Sequence, residues 1–132
     1  MKKSSEQITQ EKQYAFPYHY NVDINNQHIS LFKYWAWSIQ YLGRLFLVKR
    51  YLADIEFDSL LDVGCGDGRL LSYLSSEFHE KKMEGIDYSE KAINLAKAIN
   101  IADNVKYHAR NIINVPIDSC KYDVVTLIEV IE

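Results

Sequence analysis

The stretch "SLLDVGCGDGRLLSYL", residues 59–74, decides how this chain is read. An apolar run from Ser59 to Val63 enters a turn with Gly64, Gly66 and Gly68 at alternate positions, and Leu70, Leu71 and Leu74 then follow with helical spacing. A strand that passes through a glycine turn into a helix lets backbone approach a nucleotide-like ligand closely. The spacing narrows the ligand. The dinucleotide fingerprint G-x-G-x-x-G places its third glycine where Arg69 stands, and a phosphate-binding P-loop requires a Lys-Ser/Thr pair that is absent. Asp62, two residues before the first glycine, fits poorly beside a pyrophosphate. It fits better with a ligand that presents an amine or another positive group.

Outward from this turn the chain alternates. Residues 59–63 form a first strand, and Leu70, Leu71, Leu74 and Phe78 mark a helix to about His79. "MEGID" (83–87) is a second strand. Ser89 caps a helix through about Asn100, with Ile93, Ala96 and Ile99 on one side and Glu90 in its first turn. "NVKYH" (104–108) is a third strand, followed by a loop with Pro116, and "YDVVTLI" (122–128) is a fourth, apolar on both faces as a covered central strand should be. Such alternation predicts an α/β fold with a doubly wound, mostly parallel sheet. Before it, Phe32, Trp35, Ile39, Leu42 and Phe46 recur at steps of three and four, predicting an amphipathic helix from about Asn26 to Asp54. A boundary near Phe57 and Asp58 separates an N-terminal arm and helix (1–57) from the alternating domain (58–132).

Composition limits the partners. The 132 residues carry a net charge of −3 and a pI near 5.8, without the basic excess that favours nucleic acid. Lys33, Gln40 and Arg44 interrupt the aromatic stretch 31–48, leaving apolar runs far short of the roughly 20 residues a bilayer span needs. Residues 1–13 hold no apolar core of a secretory signal, and Cys65 and Cys120 read as free thiols of a reducing compartment, so a cytoplasmic location is expected.

Asp62-Val63-Gly64-Cys65-Gly66-Asp67-Gly68 resembles motif I, [D/E]-x-G-x-G-x-G, of the class I S-adenosylmethionine-dependent methyltransferases. Asp87 ends the second strand where that family keeps an acid for the two ribose hydroxyls. "ARNIINVP" (109–116) resembles the loop after strand three, with Asn111 where an Asp commonly meets the adenine amine. "YDVVTLIEVIE" (122–132) resembles the fourth-strand motif. The resemblance covers residues 58–132. It implies a Rossmann-like fold, S-adenosyl-L-methionine as cofactor, and cofactor-binding roles for Asp62, Gly64, Gly66, Gly68, Asp87, Tyr88, Asn111 and Glu129. Asp62 is expected to accept backbone N–H bonds within the turn and to face the cofactor's ammonium.

Methyl transfer from a sulfonium needs proximity, orientation and a dry site more than a nucleophilic side chain, and no catalytic residue is identified. A small-molecule acceptor is expected. Glu129 and Glu132 resemble the E-x-x-E of small-RNA 2′-O-methyltransferases, but the histidines that would complete a metal site are not in this sequence, so no metal is assigned. The other alternative is a non-catalytic fragment that holds a nucleoside or a partner. The cluster "YAFPYHYNVD" (14–23) offers His19 to an acceptor pocket, or else simply packs as an aromatic arm. The family's sheet continues past strand four, so this strand is expected at an open edge, where the chain made alone would self-associate and show no methyl transfer.

Overall fold

In a computed structural model of the chain, the described residues are 5, 8, 9, 22–23, 28–29, 35–112, 121–128 and 130. Two short strands, β1 (Val22–Asp23) and β2 (His28–Ile29), pair antiparallel. Then follow α1 (Trp35–Ala53), β3 (Ser59–Val63), α2 (Arg69–Ser75), β4 (Lys82–Asp87), α3 (Glu90–Ile99), β5 (Val105–Ala109) and β6 (Val124–Leu127). The last four strands form one parallel sheet in the order β5-β4-β3-β6. The expected doubly wound α/β fold is therefore present. The chain steps outward from β3 to β4 and β5, then returns to β3's other side with β6. That reversal opens a crevice at the carboxyl ends of β3 and β6.

β3 is buried on both faces because each face meets its own apolar cluster. Leu60 joins Leu70, Leu71, Leu74, Met83, Ile93, Ala96 and Tyr107 on the helix side, while Leu61 and Val63 pack with Ile86 on the other. Two polar links hold β6 in register with β3. At the entry end, Asp123 Oδ2 accepts from the Asp58 and Ser59 N–H groups, both at 2.9 Å, and from Ser59 Oγ at 2.8 Å. At the exit end, Thr126 Oγ1 donates to Asp62 Oδ1 at 2.7 Å.

Several expectations need correction. The helix expected from Asn26 starts at Trp35, because His28 and Ile29 pair with Asp23 and Val22. Its buried stripe also differs: Leu45 and Leu52 enter the core with Tyr41, Leu42 and Val48 against it, whereas Ile39 is 52% and Phe46 57% exposed. The helix is apolar nearly all round, so periodicity alone selects no single face. Phe46 instead meets Tyr73 of α2 edge to face, at 5.7 Å between ring centroids. α2 ends at Ser75 rather than near His79; Phe78 packs on Phe57 from the turn that follows. Ser89 caps α3 as expected, accepting from the Ala92 N–H at 3.3 Å, but Ile99 in the last turn points to solvent. As expected of it in this chain, β6 is the outer strand among the described residues, and Val125 and Leu127 lie half exposed. Among the described residues no helix is long and apolar enough to cross a membrane. Cys120 and the 14–21 part of the aromatic cluster, His19 included, lie outside the described residues.

Candidate functional site

The glycine turn leaves β3 at the crevice. Gly64, Gly66 and Gly68 have φ of 73°, 55° and 78°, so the backbone passes three times through the left-handed region. The Gly64 and Cys65 N–H groups both donate to the Ile86 carbonyl, at 2.8 and 3.0 Å, which ties the start of the turn to β4. Gly68 closes it, donating to the Cys65 carbonyl at 2.9 Å and accepting from the Ser72 N–H at 2.9 Å as α2 begins. Among the described residues no side chain caps that helix.

Asp87, at the carboxyl end of β4, completes the cradle. Its Oδ2 accepts from the Gly66 N–H at 3.0 Å and its Oδ1 from the Ser89 N–H at 2.8 Å. The Tyr88 N–H supports the carboxylate as well, and of its roughly four lone-pair sites one stays open to a further donor. The backbone bond to the turn expected of Asp62 is made by Asp87. Asp62 lies 3% exposed and, among the described residues, accepts only from the Thr126 hydroxyl. The cause is the register: Asp62 lies level with Gly85 inside the sheet, below the turn.

Two buried carboxylates, Asp62 and Asp87, define the electrostatics. Burial pushes the Asp62 carboxyl up to about 7; the Thr126 hydrogen bond opposes this and the nearby Asp87 charge adds to it. Burial also raises Asp87, against backbone N–H bonds from Ser89, Gly66 and Tyr88. The Cys65 thiol is held well above its ordinary range by burial and by both aspartates, so it stays protonated. A site of this kind favours a positively charged ligand, which would draw both carboxylates back toward ionisation.

The Asp62 shift has a measurable consequence. Its folded value lies above an unfolded value near 3.9, so between those values the folded chain holds a proton that the unfolded chain releases. Stability therefore falls as pH rises from about 4 through about 7, by at most about 4 kcal/mol from this group. Asp62→Asn keeps an acceptor for Thr126 and removes the titration. Denaturant midpoints between pH 4.5 and 8, a range set by those two values, should drop for the parent relative to the variant. Parallel profiles would mean that Asp62 is ionised throughout.

The structure brings Asp62, the three glycines, Asp87 and Tyr88 to one end of the sheet. Tyr88 follows directly on Asp87 and is half-buried. Asn111 lies two residues beyond the end of β5, exposed, on a segment joined to β4 by the Arg110 N–H donating to the Asp87 carbonyl at 2.8 Å. Glu129 and Glu132 lie outside the described residues. Among the described residues no group of three or more His, Cys, Asp or Glu could hold a metal ion. Thr126 was missed at the sequence level, as was Val130, whose methyl carbon would lie 2.5 Å from a Cβ on Gly64. A side chain that matters by covering a glycine leaves no motif.

Residues 60–132 match the family model of a methyltransferase domain. The release factor glutamine methyltransferase of Fusobacterium nucleatum is 31% identical over 77 residues, 56% of this chain and 22% of that protein. The putative methyltransferase 235L of Invertebrate iridescent virus 6 is 34% identical over 91 residues, 67% of this chain and 32% of that protein. This chain thus spans a third or less of the curated relatives it matches. Among solved structures, the plantazolicin methyltransferase BpumL, in complex with a monoazolic desmethylPZN analog and SAH, aligns with a TM-score of 0.53 at 30% identity, over 66% of this chain and 34% of BpumL. The methyltransferase domain of bacterial CtHen1-C aligns with a TM-score of 0.58 at 27% identity, over 66% of this chain and 49% of that one.

Proposed function

The chain belongs to the methyltransferase-domain family, and we propose that it binds S-adenosylmethionine at the glycine turn and serves methyl transfer to a small-molecule acceptor. One observation carries the cofactor reading. Asp87 holds the Gly66 N–H with one oxygen and the Ser89 N–H with the other, and with Tyr88 also donating it keeps acceptor capacity for a further hydroxyl. A ribose hydroxyl matches that demand. Asp62 and Asp87 together supply the negative field that suits a ligand carrying a sulfonium and an ammonium. BpumL, to which this chain is similar, was crystallised in complex with SAH, the demethylated product.

Bound S-adenosylmethionine supplies an activated methyl group on a good leaving group, so the chain's task is to hold and orient it and to keep water out. The backbone of residues 64–68 forms the surface on which it rests, and Asp87 fixes its rotation about the ribose. Tyr88 and Asn111 flank that end of the sheet and are assigned to the adenine side. The acidic balance of the chain supports a small-molecule acceptor over nucleic acid.

Asp87→Ala tests the assignment. Loss of charge-assisted hydrogen bonds to the ribose should weaken SAH binding by about 1.5–3 kcal/mol, or roughly ten- to hundredfold, by titration calorimetry. NAD should not bind the parent protein. Unchanged SAH affinity in the variant would remove Asp87 from the site.

A further inference from the structure

The cofactor site as described does not use Tyr107, the largest buried polar side chain beside the turn. Tyr107 stands on β5, two strands from the turn, and is 4% exposed. It lies opposite Gly85 of β4, which in turn lies opposite Asp62 of β3. A Cβ on Gly85 would meet Tyr107 Cδ1 at 2.8 Å, Cys65 Sγ at 2.9 Å and Leu71 Cδ1 at 3.0 Å. The missing side chain is therefore what lets the Tyr107 ring cross β4 beneath the turn. At its far end the hydroxyl donates to the Gly68 carbonyl at 3.0 Å and accepts from Asn100 Nδ2 at 2.6 Å. Asn100 is fixed in its turn, because its Oδ1 accepts from the Ala102 N–H at 3.0 Å just past α3.

We infer that Tyr107 is a positioning residue for the cofactor turn: its hydroxyl, oriented by Asn100, holds the Gly68 carbonyl and thereby the left-handed bend that presents the turn to its ligand. The inference rests on the cofactor reading above. A buried tyrosine hydroxyl needs some partner, and packing alone would accept any. The partner it has is the carbonyl that also receives α2's first hydrogen bond, from Ser72, at a helix start with no side-chain cap among the described residues. Asn100, Tyr107 and Gly68 thus relay the position of α3's end to the turn, through the gap left by Gly85.

Tyr107→Phe keeps the ring and removes the relay. Asn104→Ala is the control, since Asn104 Nδ2 bonds the Phe78 and Lys81 carbonyls at 3.0 and 3.2 Å, far from the turn. Both variants should lose some thermal stability. Tyr107→Phe alone should weaken SAH binding, by about tenfold, the worth of one well-placed hydrogen bond. Without ligand, it alone should also speed amide hydrogen exchange across residues 66–72. If the parent binds SAH and Tyr107→Phe binds it within about twofold, with unchanged exchange over the turn, the relay is only packing and the inference fails while the cofactor reading stands. A parent that binds no SAH would overturn the cofactor reading, and with it any role for Tyr107 in cofactor binding.

Discussion

Gly68→Val is expected to destabilise the protein by about 3–5 kcal/mol, a large part of the 5–15 kcal/mol that holds a typical domain together. Two independent effects add. Gly68 sits at φ 78°, where a side chain costs about 1–2 kcal/mol and a β-branched one more. Its Cβ would also lie 2.6 Å from the Tyr107 hydroxyl and 2.7 Å from two ring carbons. That ring cannot retreat, because it is enclosed by the core and its hydroxyl is held by Asn100. Overpacking of this kind adds about 1–3 kcal/mol. Equilibrium denaturation in urea measures the sum. A loss below about 1 kcal/mol would mean that the turn reaches another conformation cheaply.

Gly66→Val should act on the ligand more than on the fold, lowering SAH affinity by at least about a hundredfold. Gly66 is half-buried at φ 55°, and its N–H is the donor that Asp87 Oδ2 receives at 3.0 Å. Valine cannot keep that φ without strain, so the peptide rotates and the N–H leaves Asp87. The isopropyl group then stands where the turn faces its ligand. Calorimetric titration with SAH, beside a thermal melt showing a cooperative transition, separates lost binding from lost folding. A folded variant with parental affinity would place the cofactor elsewhere.

The parallel sheet was legible because its strands and helices differ in period and are punctuated by glycine, serine and proline. β3 was read to the residue, since five apolar-rich positions end at a glycine. Element ends were harder. The α1 boundary failed because the 26–34 stretch continues a helical rhythm while His28 and Ile29 pair as a strand, and pairing partners are not written in local sequence. Its buried face failed because nearly every face of α1 is apolar.

At the site, Asp62, the three glycines, Asp87 and Tyr88 lie at one end of the sheet, yet the two aspartates hold different partners. Asp62 and Asp87 are both acids at strand ends, and only the register shows that Asp87 reaches the turn while Asp62 lies below it with Thr126. Gly85 carried a usable signal, since a glycine inside a strand marks a close approach. What approaches it is Tyr107, from the next strand, and that contact exists only once the sheet is assembled.

The most direct test of the central claim is amide chemical-shift mapping of the protein during titration with SAH. The cofactor reading predicts that the largest changes fall on Gly64, Gly66, Gly68, Asp87, Tyr88 and Ser89, and that NAD produces none of them. Changes confined to other surfaces, or no change at saturating SAH, would contradict it.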